Sequence, residues 1–333
     1  RQMINQRLFD HYGIDTTKDL GIQTICSKPF DTVLIDKTGS CYACECTAWL
    51  PQSIGNLQLQ SLEQILNSDM RQHLQESVSD GTYRYCNEHQ CPYVKDMRPY
   101  RKTTNDIEHI RLGIDDSCNL RCPSCRKGMI FHKEGSAFKL GIRLADRINE
   151  WLYNYSNPIK VHIGSDGDPF ASHVYRHFMK HTPVRENIKY SLLTNGLMLR
   201  DFHASIPHVI NNMAELGVSI DGASSDTYEK LRLGGKWDKI MDALDFISVL
   251  KQEHNFQFSL HMVVQQENWH EMESMLDLAH RHNADRVYFN KIEDWNTDID
   301  FDSQTFMESE EFKESIYRVS TDPIAWNNVT PLV

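Results

Sequence analysis

From about residue 107 the chain reads as strand then helix, repeated six times. The strands are predicted at Ile110–Ile114, IKVHIG from Ile159, IKYSLLTNG from Ile188, LGVSIDG from Leu216, FQFSLHMVV from Phe256 and ADRVYFNKI from Ala284. Between them lie helical patterns. KLGIRLADRINEWLYNY carries Leu140, Leu144, Ile148, Trp151 and Leu152 at helical spacing. It is followed by DPFASHVYRHFMKH, SIPHVINNMAEL, SSDTYEKLR, WDKIMDALDFISVLKQEH and NWHEMESMLDLAHRH. Parallel strands need long crossovers, so this alternation predicts an α/β fold: a parallel sheet with helices outside, as an open or partial (β/α)6 barrel. Ligands of such sheets gather at the C-terminal strand ends. There the first four strands run into DDSCNLRCPSCRKG, GSDGDP, TNG and SIDG, which places every chemically suggestive stretch on one rim.

The first hundred residues are different. TVLIDKTGSCYACE reads as a hairpin turning at Lys37-Thr38-Gly39, and SLEQILNSDMRQHLQES as one amphipathic helix capped by Ser61. The polar stretch 95–106 would link this module, residues 1–105, to the barrel, residues 106–333. The opening RQMINQRLFD holds no long apolar run, and neither a signal peptide nor a membrane span is expected.

The nine cysteines all fall within the first 125 residues, at short spacings and in odd number. Without a secretion signal this pattern suggests metal or cluster ligation in a reducing cytoplasm rather than disulfides. Thirty-five basic against 46 acidic residues give a formal charge of −11, which argues against nucleic acid as a partner. Cys118, Cys122 and Cys125 stand at C-x3-C-x2-C, and no later cysteine can complete a set of four. Three thiolates on one tight loop can hold three irons of a [4Fe–4S] cubane, leaving the fourth iron open to a chelating amine and carboxylate. Structural zinc is disfavoured, because the nearest histidine, His132, lies beyond a glycine. No HExxH, serine–histidine–acid set or phosphate loop is present.

CNLRCPSC, with TNG, VSIDGASSDTYEKLRLGG and the cysteine-rich front module, resembles the radical S-adenosylmethionine (radical SAM) superfamily, in its SPASM/twitch branch with an N-terminal twitch domain. The resemblance covers residues 26 to 295 or so. It implies a partial (β/α)6 barrel preceded by a small α+β twitch module. It also implies a SAM-binding [4Fe–4S] cluster on Cys118, Cys122 and Cys125, with SAM as cofactor. Reductive cleavage of SAM would give a 5′-deoxyadenosyl radical that abstracts hydrogen from substrate. By position the SAM contacts would come from Gly167 and Asp168 in GSDGDP, Thr194 and Asn195 after the third strand, and Ser219 and Asp221 after the fourth. Gln265 and Asn268 are weaker candidates. Asp168 stands where the family has Glu, and Ser124 where an aromatic residue often packs on adenine.

Cys26-x12-Gly39-x4-Cys44 followed by Cys86-x4-Cys91 resembles a twitch site, implying an auxiliary [4Fe–4S] cluster on Cys26, Cys44, Cys86 and Cys91, with Cys41 and Cys46 surplus. Zinc at Cys41, Cys44, Cys86 and Cys91 is the rival arrangement. The expected function is a radical SAM oxidoreductase acting on a small molecule or carbohydrate, reduced by a flavodoxin or ferredoxin. The alternatives are a peptide-modifying maturase, a non-catalytic zinc or iron–sulfur protein with a degenerate SAM site, and a pure electron carrier.

Overall fold

The structure is a computed structural model that describes residues 26–45, 47, 50–89, 91, 94, 106–294, 297 and 299–329. The opening decapeptide, Cys46 and most of the polar linker lie outside the described residues. The chain divides into two compact units: residues 1–115, 134–165 and 181–188, and residues 116–133, 166–180 and 189–333.

The first unit contains α1 (Lys28–Asp31), β1 (Thr32–Asp36), β2 (Ser40–Tyr42), β3 (Ser53–Asn56), α2 (Leu62–Leu66), α3 (Asp69–Ser79), β4 (His109–Gly113), α4 (Gly135–Asn154) and β5 (Ile159–Ile163). Its strands lie in the order β5-β4-β1-β2-β3. β1 pairs antiparallel with β2 but parallel with β4, with Ile35 beside Leu112. The hairpin turn is where the sequence puts it. Asp36 Oδ1 accepts from the Thr38 and Ser40 amides at 2.8 and 2.9 Å, and Gly39 adopts φ +80°. β3 was not predicted: SIGN is too short and polar to show strand alternation.

The single helix expected from Ser61 is two helices. Ser61 does cap the first, in a reciprocal capping box with Gln64. Ser68 then caps a second, accepting from the Arg71 amide. The buried Arg71 guanidinium donates to the carbonyls of Pro29, Phe30 and Leu66 at 2.7–3.1 Å, which ties α3 to α1.

The second unit contains α5 (His173–His181), β6 (Ile188–Thr194), α6 (Leu199–Phe202), α7 (Pro207–Asn211), β7 (Met213–Ser219), α8 (Ser225–Leu231), α9 (Trp237–Glu253), β8 (Gln257–Val264), α10 (Met272–Arg281), β9 (Arg286–Lys291), α11 (Glu310–Ser320) and β10 (Ala325–Asn328). β6 through β10 lie side by side in chain order, all parallel. Two boundaries differ from expectation. MAEL, expected as helix, is the start of β7, and the helix expected from Asp168 begins only at His173. β10 was not anticipated; it extends the sheet beside β9.

In β8 the residues Phe258, Leu260, Met262 and Val264 are buried, while Ser259, His261 and Val263 on the opposite face are half-buried. The sheet thus has one apolar face and one polar face. The motif-bearing loops follow the C-terminal strand ends.

Candidate functional site

The loop between residues 116 and 133 is held shut by its own backbone. The Cys118 amide donates to the Ile130 carbonyl at 2.9 Å, and the His132 amide to Ser117 Oγ at 2.8 Å. Cys118 and Cys122 are buried and Cys125 is exposed. Each sulfur has a nitrogen donor beside it. Asn195 Nδ2 lies 3.7 Å from Cys118 Sγ, Arg232 Nη1 3.7 Å from Cys122 Sγ, and Arg126 Nη2 3.5 Å from Cys125 Sγ. Burial, with Asp168 nearby, pushes the Cys118 thiol up to about 11. Such thiols stay protonated unless a metal takes the proton's place, and nitrogen donors aimed at the sulfurs then stabilise the thiolates. The set fits a three-thiolate cluster.

The structure brings Asp168 and Asn195 onto this loop, with Thr194 held through Asp168. Asp168 is 1 % exposed, and its amide donates to the Ser117 carbonyl at 2.8 Å. Its Oδ1 accepts from the Phe170 and Ala171 amides, both at 3.0 Å. Its Oδ2 accepts from Thr194 Oγ1 at 2.7 Å and the Asn195 amide at 2.8 Å. The carboxylate is therefore filled by protein donors, and it fixes the end of β6 against the cysteine loop. Gly167, at φ +71°, makes the turn that delivers it. Asn195 completes the corner by donating to Asn119 Oδ1 at 2.8 Å.

Asp221 sits at φ +57°, in the left-handed region, 2 % exposed. Its Oδ1 accepts from the Val263 amide and its Oδ2 meets Arg232 Nη2, both at 2.8 Å. Its carbonyl accepts from Asn268 Nδ2, while Asn268 Oδ1 accepts from the Gln265 amide. Burial alone would lower the pKa of Arg232, but the charge of Asp221, then that of Cys122, raises it and keeps the guanidinium charged. Arg232 was not singled out in the sequence; its signal is an arginine just before the Gly234-Gly235 break that interrupts the helical pattern. The carboxamide of Gln265 is buried with neither its nitrogen nor its oxygen hydrogen-bonded. An unpartnered buried amide is costly, so it marks a place for a ligand carrying both a donor and an acceptor.

A second feature is set by strand register. Ser219 pairs with His261, His261 with Tyr288, and Tyr288 with Trp326, so one row crosses β7, β8, β9 and β10 on the polar face. His261 stacks on Tyr288 with centroids 4.7 Å apart and 27° between planes, and Tyr288 lies 6.3 Å from Trp326. Burial, then Arg232, pushes His261 down to about 4, so its imidazole is neutral at pH 7. Gly217 leaves it room, since a Cβ there would lie 2.7 Å from His261 Nε2. Period-2 alternation gives the faces, but only the register reveals the row.

In the first unit, Cys26, Cys44, Cys86 and Cys91 line one cavity of about 340 Å³ including its mouth, together with Lys28, Pro29, Leu50, Val78, Tyr83 and Val94. Burial, then Cys91 and Cys44, pushes Cys86 up to about 12. Burial also raises Cys26, to which Cys44, Cys86 and Cys91 add. Cys41 is not among the lining residues; its thiol turns to the Gly39 carbonyl at 3.6 Å. The zinc arrangement that uses Cys41 in place of Cys26 does not match this grouping. Four convergent thiols, Cys44 and Cys91 buried and Cys26 and Cys86 half-buried, fit a fully ligated cluster.

The profile of the radical SAM superfamily matches residues 114–279, and that of the SPASM iron–sulfur cluster-binding domain matches residues 26–92. The chain belongs to the radical SAM superfamily. Its SPASM domain precedes the radical SAM domain, and its cofactors are [4Fe–4S] clusters and SAM. The α/β, mostly parallel arrangement is that of the superfamily's partial barrel. The chain is 28% identical over 162 residues to GTP 3′,8-cyclase of Lactiplantibacillus plantarum, covering 47% of this chain and 46% of the relative. It is 24% identical over 182 residues to an uncharacterised protein of Archaeoglobus fulgidus, covering 52% and 42%. The chain thus spans less than half the length of these curated relatives. Among solved structures, Streptococcus suis SuiB aligns over 94% of this chain and 71% of its own, with TM-score 0.47 and 13% identity. No helix among the described residues is long and apolar enough to cross a membrane.

Proposed function

We infer that this radical SAM enzyme is an oxidoreductase acting on a ring-bearing small molecule or carbohydrate in the reducing cytoplasm, with an auxiliary cluster receiving or relaying an electron. The observation that carries the substrate class is the row Ser219–His261–Tyr288–Trp326. Its hydroxyl, neutral imidazole and aromatic side chains suit the flat face and hydroxyls of a ring, with the Arg286 guanidinium 5.5 Å over the Trp326 ring at the far end.

In this reading Cys118, Cys122 and Cys125 hold the SAM-binding cluster, and Cys26, Cys44, Cys86 and Cys91 the auxiliary one. When bound, the first cluster and SAM supply hydrogen-atom abstraction after one-electron cleavage of SAM. The protein's part is positional. Asp168 acts by fixing Gly167, Thr194 and Asn195 where the cofactor lies. Asp221 orients Arg232 beside Cys122. Ser219 and Gln265 offer polar groups to the nucleoside. The row holds substrate at the same rim, which shortens the path to the abstracted hydrogen and keeps water away.

The test incubates reconstituted, reduced enzyme with SAM and a panel of sugars, cyclitols and short peptides, following 5′-deoxyadenosine and substrate mass. A two-mass-unit loss from a ring substrate, suppressed by Tyr288→Ala, is the expected result. Turnover of peptides alone would replace this reading with that of a peptide maturase.

A further inference from the structure

The first unit carries a basic block that neither thiol site uses. Strand register sets Arg111 of β4 beside His162 of β5, and His109 beside Lys160, so four basic side chains share one face of two neighbouring strands. All four are half-buried, while the alternate residues Ile110, Leu112, Val161 and Ile163 turn into the apolar core. By strand spacing the block measures about 5 by 7 Å. Such a concentration stands out in a chain with 46 acidic against 35 basic residues.

Two carboxylates of this unit bear on His109, and both are already engaged. Glu45 accepts from Lys28 Nζ and lies 3.7 Å from Arg111 Nη1. Asp31 accepts from Thr32 Oγ1 at 2.6 Å. What remains in the block is donors. Arg111 Nε is buried without a hydrogen-bond partner, a costly state for a guanidinium nitrogen. His109 Nδ1 and His162 Nε2 lie 3.1 Å apart and share one hydrogen. Whichever ring supplies it, the neutral pair keeps one further N–H to give. Burial, followed by Arg111, His109, Lys160 and Lys28, pushes His162 down to about 2, and burial followed by Lys28 lowers His109. Three cations thus crowd two imidazoles, which a bound anion would relieve and a bound metal ion would aggravate.

We propose that this block is an oxyanion-binding site, which takes the carboxylate or phosphate group of a small molecule between the Nε side of Arg111 and the outward imidazole N–H. A planar guanidinium edge with a second N–H donor beside it matches the fork of such a group. Lys28 also lines the auxiliary thiol cavity, so the anion is held beside that site. The site deepens the substrate reading given above by making the ring substrate an acid; only that step rests on the reading.

The test titrates the reconstituted holoenzyme, without SAM or reductant, with inorganic phosphate and with acetate at fixed ionic strength, by calorimetry. One anion bound per chain is the expected result. Arg111→Gln weakens it about tenfold or more, and Arg111→Lys, which keeps the charge but not the fork, weakens it less. His162→Gln weakens it severalfold, and Lys313→Gln, on the exposed side of α11, leaves it unchanged. Iron content and melting temperature are read on every variant, and Lys160→Gln carries the same expectation if Arg111→Gln loses iron. A second arm compares glucuronate and glucose 6-phosphate with glucose. An acid sugar bound more tightly than the bare ion, and weakened by Arg111→Gln, assigns the site to a substrate group. Equal affinity for the bare ion keeps the site and overturns its link to the substrate. Absence of phosphate and acetate binding, or equal affinity in wild type and Arg111→Gln, would overturn the proposal outright. Failure of the radical SAM reading looks different: the anions bind as expected while reduced enzyme leaves SAM intact.

Discussion

The two thiol sites of this chain are built by opposite means. The front site gathers Cys26, Cys44, Cys86 and Cys91 from separated stretches and walls them mainly with the apolar Pro29, Leu50, Val78, Tyr83 and Val94, beside Lys28, whose ammonium is taken by Glu45. The loop site takes three cysteines from eight consecutive residues and surrounds them with Asn195, Arg232 and Arg126, each within 3.7 Å of a sulfur. Apolar walls around a full set of ligands suit a centre that changes its charge but not its coordination. Polar donors around an incomplete set suit one that must accept a charged molecule and release it. Completeness of ligation and polarity of the surroundings would therefore vary together, and under the proposed function the pair would separate the electron-handling centre from the reacting one.

The sharpest way to break this contrast is to delete each site separately. Cys118→Ala/Cys122→Ala/Cys125→Ala should lower iron from about eight to about four per chain and abolish 5′-deoxyadenosine formation, by iron assay and chromatography. Cys44→Ala/Cys86→Ala should remove the same amount of iron yet leave reductant-driven SAM cleavage measurable, with substrate oxidation lost. If both variants cleave SAM, or neither does, the division of labour is wrong.

The next effect concerns the charged brace of the loop site. Asp221→Asn keeps the shape but leaves Arg232 without its carboxylate. A loss of about 3 kcal/mol, or roughly 4 °C in melting temperature, is expected by calorimetry.

Both units also contain a histidine held neutral by burial, which gives a smaller, pH-dependent comparison. His162, 3.1 Å from His109, is pushed down to about 2 by burial and then by Arg111, whereas His261 falls only to about 4. With the folded value below the unfolded 6.5 or so, the unfolded chain binds protons first, and stability is lost as pH falls below about 6.5. The loss levels off near pH 4 for His261 and continues below it for His162. His162→Gln should therefore flatten the acid limb of the melting-temperature profile further than His261→Gln, as read by circular dichroism.

The smallest change should come from Cys41→Ala. A thiol outside the cavity can go with full iron content retained and a loss of about 1 kcal/mol. A fall in iron would put Cys41 back among the ligands.

What the sequence made legible was local or periodic. The Lys37-Thr38-Gly39 turn, the Ser61 cap and most barrel strands follow from side-chain chemistry and alternation along the chain. The break at Asn67-Ser68 was missed because Leu62, Ile65 and Leu74 keep an apolar stripe across it. MAEL was read as helix because its residues favour helices, and pairing beside β6 overrode that preference. Cys118, Cys122 and Cys125 could be named in advance because their spacing is short, whereas Cys26, Cys44, Cys86 and Cys91 come from separated stretches and were implied by the resemblance to a twitch site. The brace by Asp168, the Asp221–Arg232 pair and the row ending at Trp326 depend on which residues the strand register sets side by side, and no window of sequence holds that information.

The parallel pairing of β1 with β4 has one more outcome. Residues 32–36 are zipped to residues 109–113, so a protease cut anywhere in 95–105 should not release a free-standing iron–sulfur fragment. The nicked halves should co-purify, and the hairpin expressed without its partner strand would bare a sticky edge to solvent. Evolution could not readily have shuffled this module in as a separable cassette; it is woven into the scaffold at its first parallel strand.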